Sequence, residues 1–149
     1  MNIRILPPTT ERVQRNTENN LNKAIQEQTV FNLNKLKYAE DGDLSERIET
    51  LNKEWDTERF LETNAAAIIL LCSILGLKKS KAFLFPGTIS FFLLQHALQG
   101  WSPPLPIIRK LGIRTADEIN NEKTAVKMMR GDFSTIPDTP GEKLEIAAH

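Results

Sequence analysis

The sequence predicts an all-α protein with long N-terminal helices, a short apolar helical hairpin and a C-terminal amphipathic helix. Apolar residues recur at helical spacing over much of the chain, and glycine and proline cluster at a few breaks. Two long stretches, residues 63–77 and 82–108, contain no Asp, Glu, Lys or Arg. A helix that is apolar on every side is surrounded by protein or by lipid. These stretches are therefore expected to form the hairpin.

Residues 1–62 are predicted to be an N-terminal helical region. Thr9 or Thr10 can cap a first helix, and no glycine or proline follows before Tyr38. Its apolar stripe is narrow, and its many asparagines weaken it because the asparagine side chain competes for backbone hydrogen bonds. We therefore expect one long, largely solvated helix that needs a partner surface.

A second N-terminal helix has a clearer apolar face. Asp43, followed three residues later by Glu46, resembles a capping box at its start. Apolar residues then follow at spacings of four, three and four, which is the pattern of one buried helix face. The residues of this face are Leu44, Ile48, Leu51 and Trp55. The same face is expected to continue through Glu58 and Glu62 into the apolar segment.

Residues 63–101 are predicted to be an apolar membrane hairpin. Each leg has about fifteen residues and is about 22 Å long, which is short of the roughly 30 Å hydrocarbon core of a bilayer. The deficit shrinks if lysine side chains at the tip extend toward the lipid head groups. Three lysines occupy this tip: Lys78, Lys79 and Lys81.

The open end of the hairpin is expected to lie at the membrane interface. Trp101 would be the interfacial anchor, and Arg109 and Lys110 would contact lipid head groups. A hairpin returns the chain to the side from which it entered, and no signal peptide is recognisable. The sequence therefore predicts a bacterial-type inner-membrane protein with both termini in the cytoplasm. Its expected partners are the lipid bilayer and either further copies of this chain or the other subunits of a membrane complex.

The C-terminal part is predicted to hold a proline knot and an amphipathic helix, residues 102–131, and then a loose tail, residues 132–149. Thr115 and Glu118 form a second capping box, and Gly131 is placed to end the helix that follows. No internal repeat is found.

The composition excludes several classes of function. Formal net charge is zero, with 19 basic and 19 acidic residues, which removes the electrostatic basis for nucleic-acid binding. The single cysteine, Cys72, excludes an intrachain disulfide and a cysteine-based zinc site. There is no glycine-rich phosphate loop and no nucleophile elbow, so no catalysis is evident.

One set of residues resembles a metal site. Glu58 and Glu62 are four residues apart on one helix face, and His96 lies on the other leg of the hairpin. If Thr63 lies opposite Gly100, Glu62 can meet His96, whereas Glu58 is too far out to join them. The alternatives are a hydrogen-bonded polar seam that binds no cofactor and a path for a proton or a ligand.

The segment after the apolar hairpin, Gly-Trp-Ser-Pro-Pro-Leu at 100–105 and Leu-Gly-Ile-Arg-Thr at 111–115, resembles the YgaP-type inner-membrane domain family. That resemblance implies two short hydrophobic helices and a role in sulfur handling beside sulfurtransferase domains. The family has a cysteine before the proline, where this chain has Ser102, so the resemblance does not carry the thiol chemistry to this position.

Three hypotheses for function follow. The first is a small membrane-associated helical protein that acts as an assembly or interaction subunit. The second is a soluble helical oligomer with a buried carboxylate–histidine metal site. The third is a sulfur-handling accessory protein, which rests on family analogy alone.

Overall fold

The computed structural model describes residues 8–76, 84–134 and 139–143. Helices make up this part of the chain and no strand occurs in it, which confirms the predicted all-α class. The helices are α1 (Arg12–Arg15), α2 (Asn19–Lys35), α3 (Asp41–Lys53), α4 (Thr57–Gly76), α5 (Leu84–Gln99), α6 (Leu105–Lys110) and α7 (Ala116–Arg130).

The predicted long first helix is interrupted. The chain leaves the helix between α1 and α2, where short polar side chains bond to the preceding turn. Thr17 Oγ1 donates to the Val13 carbonyl at 2.8 Å, and Asn16 Nδ2 donates to the Arg12 carbonyl at 2.8 Å. Such side chains compete with the helical backbone pattern, and here they accompany a helix end.

The second predicted helix also ends earlier than its apolar pattern suggests. Residues Leu44, Ile48 and Leu51 of α3 are buried as predicted, but α3 stops at Lys53. Trp55 lies beyond that helix and is exposed, so the apolar face does not continue unbroken into α4. The predicted cap at Asp43 is wrong, because α3 begins at Asp41.

Two compact units divide the chain, and each combines two separate stretches. Unit 1 comprises Met1–Ile25 and Trp55–Asp117, and unit 2 comprises Gln26–Glu54 and Glu118–His149. The sequence predicted four regions that follow one another along the chain: 1–62, 63–101, 102–131 and 132–149. These boundaries stay a prediction.

Unit 2 is built around one cluster of buried apolar side chains from α3 and α7, with residues of α2 and the α2–α3 connection packed against it. The cluster consists of Leu44, Ile48, Leu51, Ile119 and Val126. A buried ion pair lies in the same unit, since Arg47 Nη2 is 2.6 Å from Glu122 Oε1 and Glu122 is fully buried.

Unit 1 holds α1, α4, α5 and α6. The start of α4 is tied to the residues that precede α7, because Thr57 is fully buried and both its backbone N–H and its hydroxyl donate to the Arg114 carbonyl, at 2.8 and 3.0 Å. Leu105 and Ile108 of α6 are also buried in this unit. These contacts fix the base of the hairpin.

Candidate functional site

Helices α4 and α5 pack against each other, and both expose large apolar side chains. Leu70 and Leu71 of α4 are 62% and 61% exposed, and Phe91 of α5 is 61% exposed. Single exposed apolar residues are normal, whereas several large ones on one pair of helices indicate a binding site for protein or membrane. We call this surface the hairpin face; it comprises Ile68, Leu70, Leu71, Phe85, Phe91, Leu94 and Leu98.

Neither leg of the hairpin has the length and apolarity of a membrane-crossing helix, and this holds for every helix in the part of the chain that the structure describes. The predicted transmembrane character is therefore unsupported. The tip lysines, Lys78, Lys79 and Lys81, lie outside the described residues.

A pocket of about 390 Å³ opens at the base of the hairpin, between the start of α4 and the end of α5. Because the start of α4 lies near the end of α5, the two helices are antiparallel. We call this pocket the hairpin pocket. Its apolar wall consists of Leu61, Leu93, Leu94 and Ala97, and its polar groups are Arg12, Glu58, Glu62, Ser90 and His96.

Arg12 of α1 closes one side of the hairpin pocket. Its guanidinium pairs with Glu58 and also donates to the Ala97 carbonyl at 2.5 Å. Asn16 Nδ2 donates to a second carbonyl at the same helix end, that of Gln99, at 3.0 Å. The last carbonyls of a helix have no partner within the helix, and a cation there is favoured by the helix dipole. Helix α1 therefore acts as the cap of α5.

Gly100 allows that close approach. Its φ of +75° lies in the left-handed region, and its N–H donates to the His96 carbonyl at 2.7 Å. A Cβ at this position would overlap the backbone of Arg12. Glycine is thus required here both by conformation and by packing.

His96 is 4% exposed and belongs to the polar lining of the hairpin pocket. Its Nδ1 lies 3.4 Å from Ser102 Oγ, and its Nε2 is buried without a hydrogen-bond partner among the described residues. Ser102 is itself 2% exposed, so the pair is a buried contact and offers no substrate access to the hydroxyl. Burial, followed by the charge of Arg12, lowers the pKa of His96, and Glu58 opposes this shift.

The stability of unit 1 is expected to fall as the pH drops below about 6.5, the unperturbed pKa of histidine. The folded-state pKa of His96 is lower than that value, so the unfolded chain takes up the proton first. This contribution is complete above pH 6.5 and is lost as the pH falls toward the folded-state pKa, with a slope of at most about 1.4 kcal/mol per pH unit. Urea titrations between pH 7.5 and 5 measure it. His96→Gln should flatten the slope, and an unchanged slope would contradict this role.

The three predicted metal ligands, Glu58, Glu62 and His96, all line the hairpin pocket, but the expected pairing of Glu62 with His96 is not found. Glu58 lines the hairpin pocket with His96, whereas the sequence placed it too far out. Glu62 is exposed, and its proposed pairing with His96 is not among the contacts of that imidazole. Within the described ranges, no group of three His, Cys, Asp or Glu side chains is arranged to hold a metal ion.

The residues predicted to lie at a membrane interface differ in exposure. Trp101 and Lys110 are exposed, as an interfacial role requires. Arg109 is only 1% exposed, and its guanidinium donates to the Ile113 carbonyl at 3.1 Å and to Asn22 Oδ1 at 3.0 Å. Its place is in the interior of unit 1 rather than among head groups, because it bonds the α6–α7 connection to α2.

Two site residues were missed by sequence reasoning, Arg12 as the cap of α5 and Ser102 as the neighbour of His96. Arg12 lies 85 residues before the carbonyl it binds, so no local spacing relates the two. The glycine that ends α5 is the one local feature that indicates a close approach at this point.

No protein family model, no curated protein and no solved structure matches this chain. The resemblance to the YgaP-type inner-membrane domain family stays a prediction based on residues 100–105 and 111–115.

Proposed function

We propose that this protein is a membrane-associated assembly subunit, which attaches to the bilayer through the hairpin face. The observation that supports this proposal most directly is the exposure of large apolar side chains along both helices of the hairpin. Exposed apolar area of this kind is costly in water and favours transfer to an apolar environment.

The distribution of these side chains favours lipid over a flat protein interface. Successive residues of an α-helix point about 100° apart, so Leu70 and Leu71 face different directions although both are exposed. On α5, Phe85 points about 120–180° away from Phe91, Leu94 and Leu98. A flat partner surface covers one direction only, whereas hydrocarbon surrounds the hairpin.

The length of the hairpin favours partial insertion. The uncharged part of α4, residues 63–76, is about 21 Å long, against roughly 30 Å for the hydrocarbon core. An antiparallel pair of helices that enters without crossing leaves both of its ends on the same side. We assign that side to the cytoplasm of a bacterial-type inner membrane, with Trp101 and Lys110 at the head groups.

Leu70→Arg is expected to weaken membrane binding at least about tenfold. Arginine at the centre of a bilayer costs about 2.5–3.5 kcal/mol, and a partly inserted helix loses less than that. Flotation of the protein with vesicles of phosphatidylethanolamine and phosphatidylglycerol through a density gradient measures the bound fraction.

Val30→Arg is the matched control, since Val30 is 50% exposed and lies on α2 in the other unit. It should float with the parent protein. If the parent stays at the bottom of the gradient and sediments as a detergent-free oligomer, the hairpin face is a protein interface and the membrane proposal is wrong.

A further inference from the structure

The hairpin pocket has the size and lining of a small-molecule site. Its volume of about 390 Å³ falls within the roughly 300–1,000 Å³ range of ligand pockets, and its lining combines apolar side chains with charged and polar ones. The α1 cap and the α4–α5 pair form this pocket within a single compact unit.

We propose that the hairpin pocket binds a small primary amine with an apolar body, whose ammonium group lies between the Glu62 carboxylate and His96 Nε2. This inference goes beyond attachment to a membrane and does not depend on it. The apolar body would lie along Leu61, Leu93 and Leu94.

The charges of the lining favour a cation. The pocket is lined by one guanidinium and two carboxylates, and the guanidinium of Arg12 is already paired with Glu58. The charge of Glu62, an exposed member of the lining, is the one left without an ion-pair partner among the described residues. An ammonium group there completes a charge pair, whereas an anion would meet an excess of negative charge.

His96 supplies the second, independent observation. A buried nitrogen without a hydrogen-bond partner is uncommon in a folded protein and costs free energy while it remains unsatisfied. When Nδ1 donates to Ser102 Oγ, Nε2 presents a lone pair that an ammonium N–H can use. The neutral imidazole, which burial favours, is the form that accepts this bond.

This geometry also predicts selectivity among amines. A primary ammonium is compact and has three N–H donors, whereas a trimethylated ammonium has none and is wider. Because Nε2 is buried, a group that approaches it has to be narrow, which favours the primary ammonium over the trimethylated one. Equal binding of the two kinds of amine would therefore contradict the proposal.

The test uses the full chain labelled with ¹⁵N-histidine at pH 7.5 and titrated with hexylamine. The chain has two histidines, so His149 provides an internal control. We expect hexylamine to shift the Nε2 resonance of His96 and to leave that of His149 unchanged. Hexyltrimethylammonium has the same tail and the same charge, and it should leave both resonances in place.

Glu62→Gln should weaken hexylamine binding by about three- to fivefold, the usual worth of a partly exposed ion pair. Glu46→Gln, at an exposed position of α3 in unit 2, should not change the affinity. The proposal is overturned if hexylamine leaves the His96 resonance unmoved, if the quaternary amine binds as well, or if Zn²⁺ moves that resonance and hexylamine does not.

Discussion

Gly100→Ala is expected to destabilise unit 1 by about 2–5 kcal/mol. A residue with a side chain loses about 1–2 kcal/mol in the left-handed conformation that Gly100 adopts at φ +75°. The added methyl group also overlaps the Arg12 backbone, and such overpacking costs about 1–3 kcal/mol. The clash is with backbone rather than with a movable side chain, so α1 must shift and its cap on the Ala97 and Gln99 carbonyls is lost.

Gly112→Ala is the matched control for this substitution. Gly112 has nearly the same φ, +78°, and an added Cβ there would have open space around it. It should therefore lose only the conformational part, about 1–2 kcal/mol. Urea unfolding gives both free energies, and hydrogen exchange at α1 shows whether the cap opens. Equal losses for the two variants would mean that α1 does not pack against Gly100.

Arg47→Ala is expected to destabilise unit 2 by about 3 kcal/mol. The guanidinium donates twice to one oxygen of Glu122, from Nε at 3.0 Å and from Nη2 at 2.6 Å. Glu122 is fully buried beside the apolar cluster of α3 and α7, so removal of the arginine takes two charge-assisted hydrogen bonds from a buried carboxylate. Breaking a buried pair in this way costs about 3–5 kcal/mol, and the partial exposure of Arg47 places the loss at the lower end.

Lys53→Ala on the same helix is the control. Its ion pair with Glu49 is exposed on both sides, so its loss should leave the free energy of unfolding nearly unchanged. A double variant, Arg47→Leu with Glu122→Leu, removes both charges and should recover most of the lost stability. A loss for Arg47→Ala as small as that for Lys53→Ala would contradict a structural role of the buried pair.

The sequence predicted those features of the helices that depend on residues close together in the chain. The spacing of Leu44, Ile48 and Leu51 identified the buried face of α3, and Gly131 was correctly placed at the end of α7. The apolar spacing failed to predict a helix end where polar side chains bond to the backbone of the preceding turn. Asn16 and Thr17 end α1, and the periodicity of the apolar residues continues through that break.

The candidate site was predicted only in part. The sequence predicted Glu58, Glu62 and His96 as possible ligands beside an apolar segment, and all three line one pocket. Their relation to one another depends on the register of α4 against α5, which local spacing does not determine. The contact of Arg12 with the end of α5 joins residues far apart in the chain, so it follows from tertiary packing alone.

Membrane attachment through the hairpin face is tested most directly by measuring the environment of that face in the presence of vesicles. A nitroxide label at Leu71→Cys, in a Cys72→Ser background that removes the single native cysteine, reports collisions with oxygen and with a water-soluble nickel chelate. Asn52→Cys in the same background labels an exposed position of α3 as the control. We predict that vesicles raise the oxygen collisions and suppress the nickel collisions of the Leu71 label alone. Unchanged access of the nickel chelate to that label would show that the hairpin face does not enter lipid.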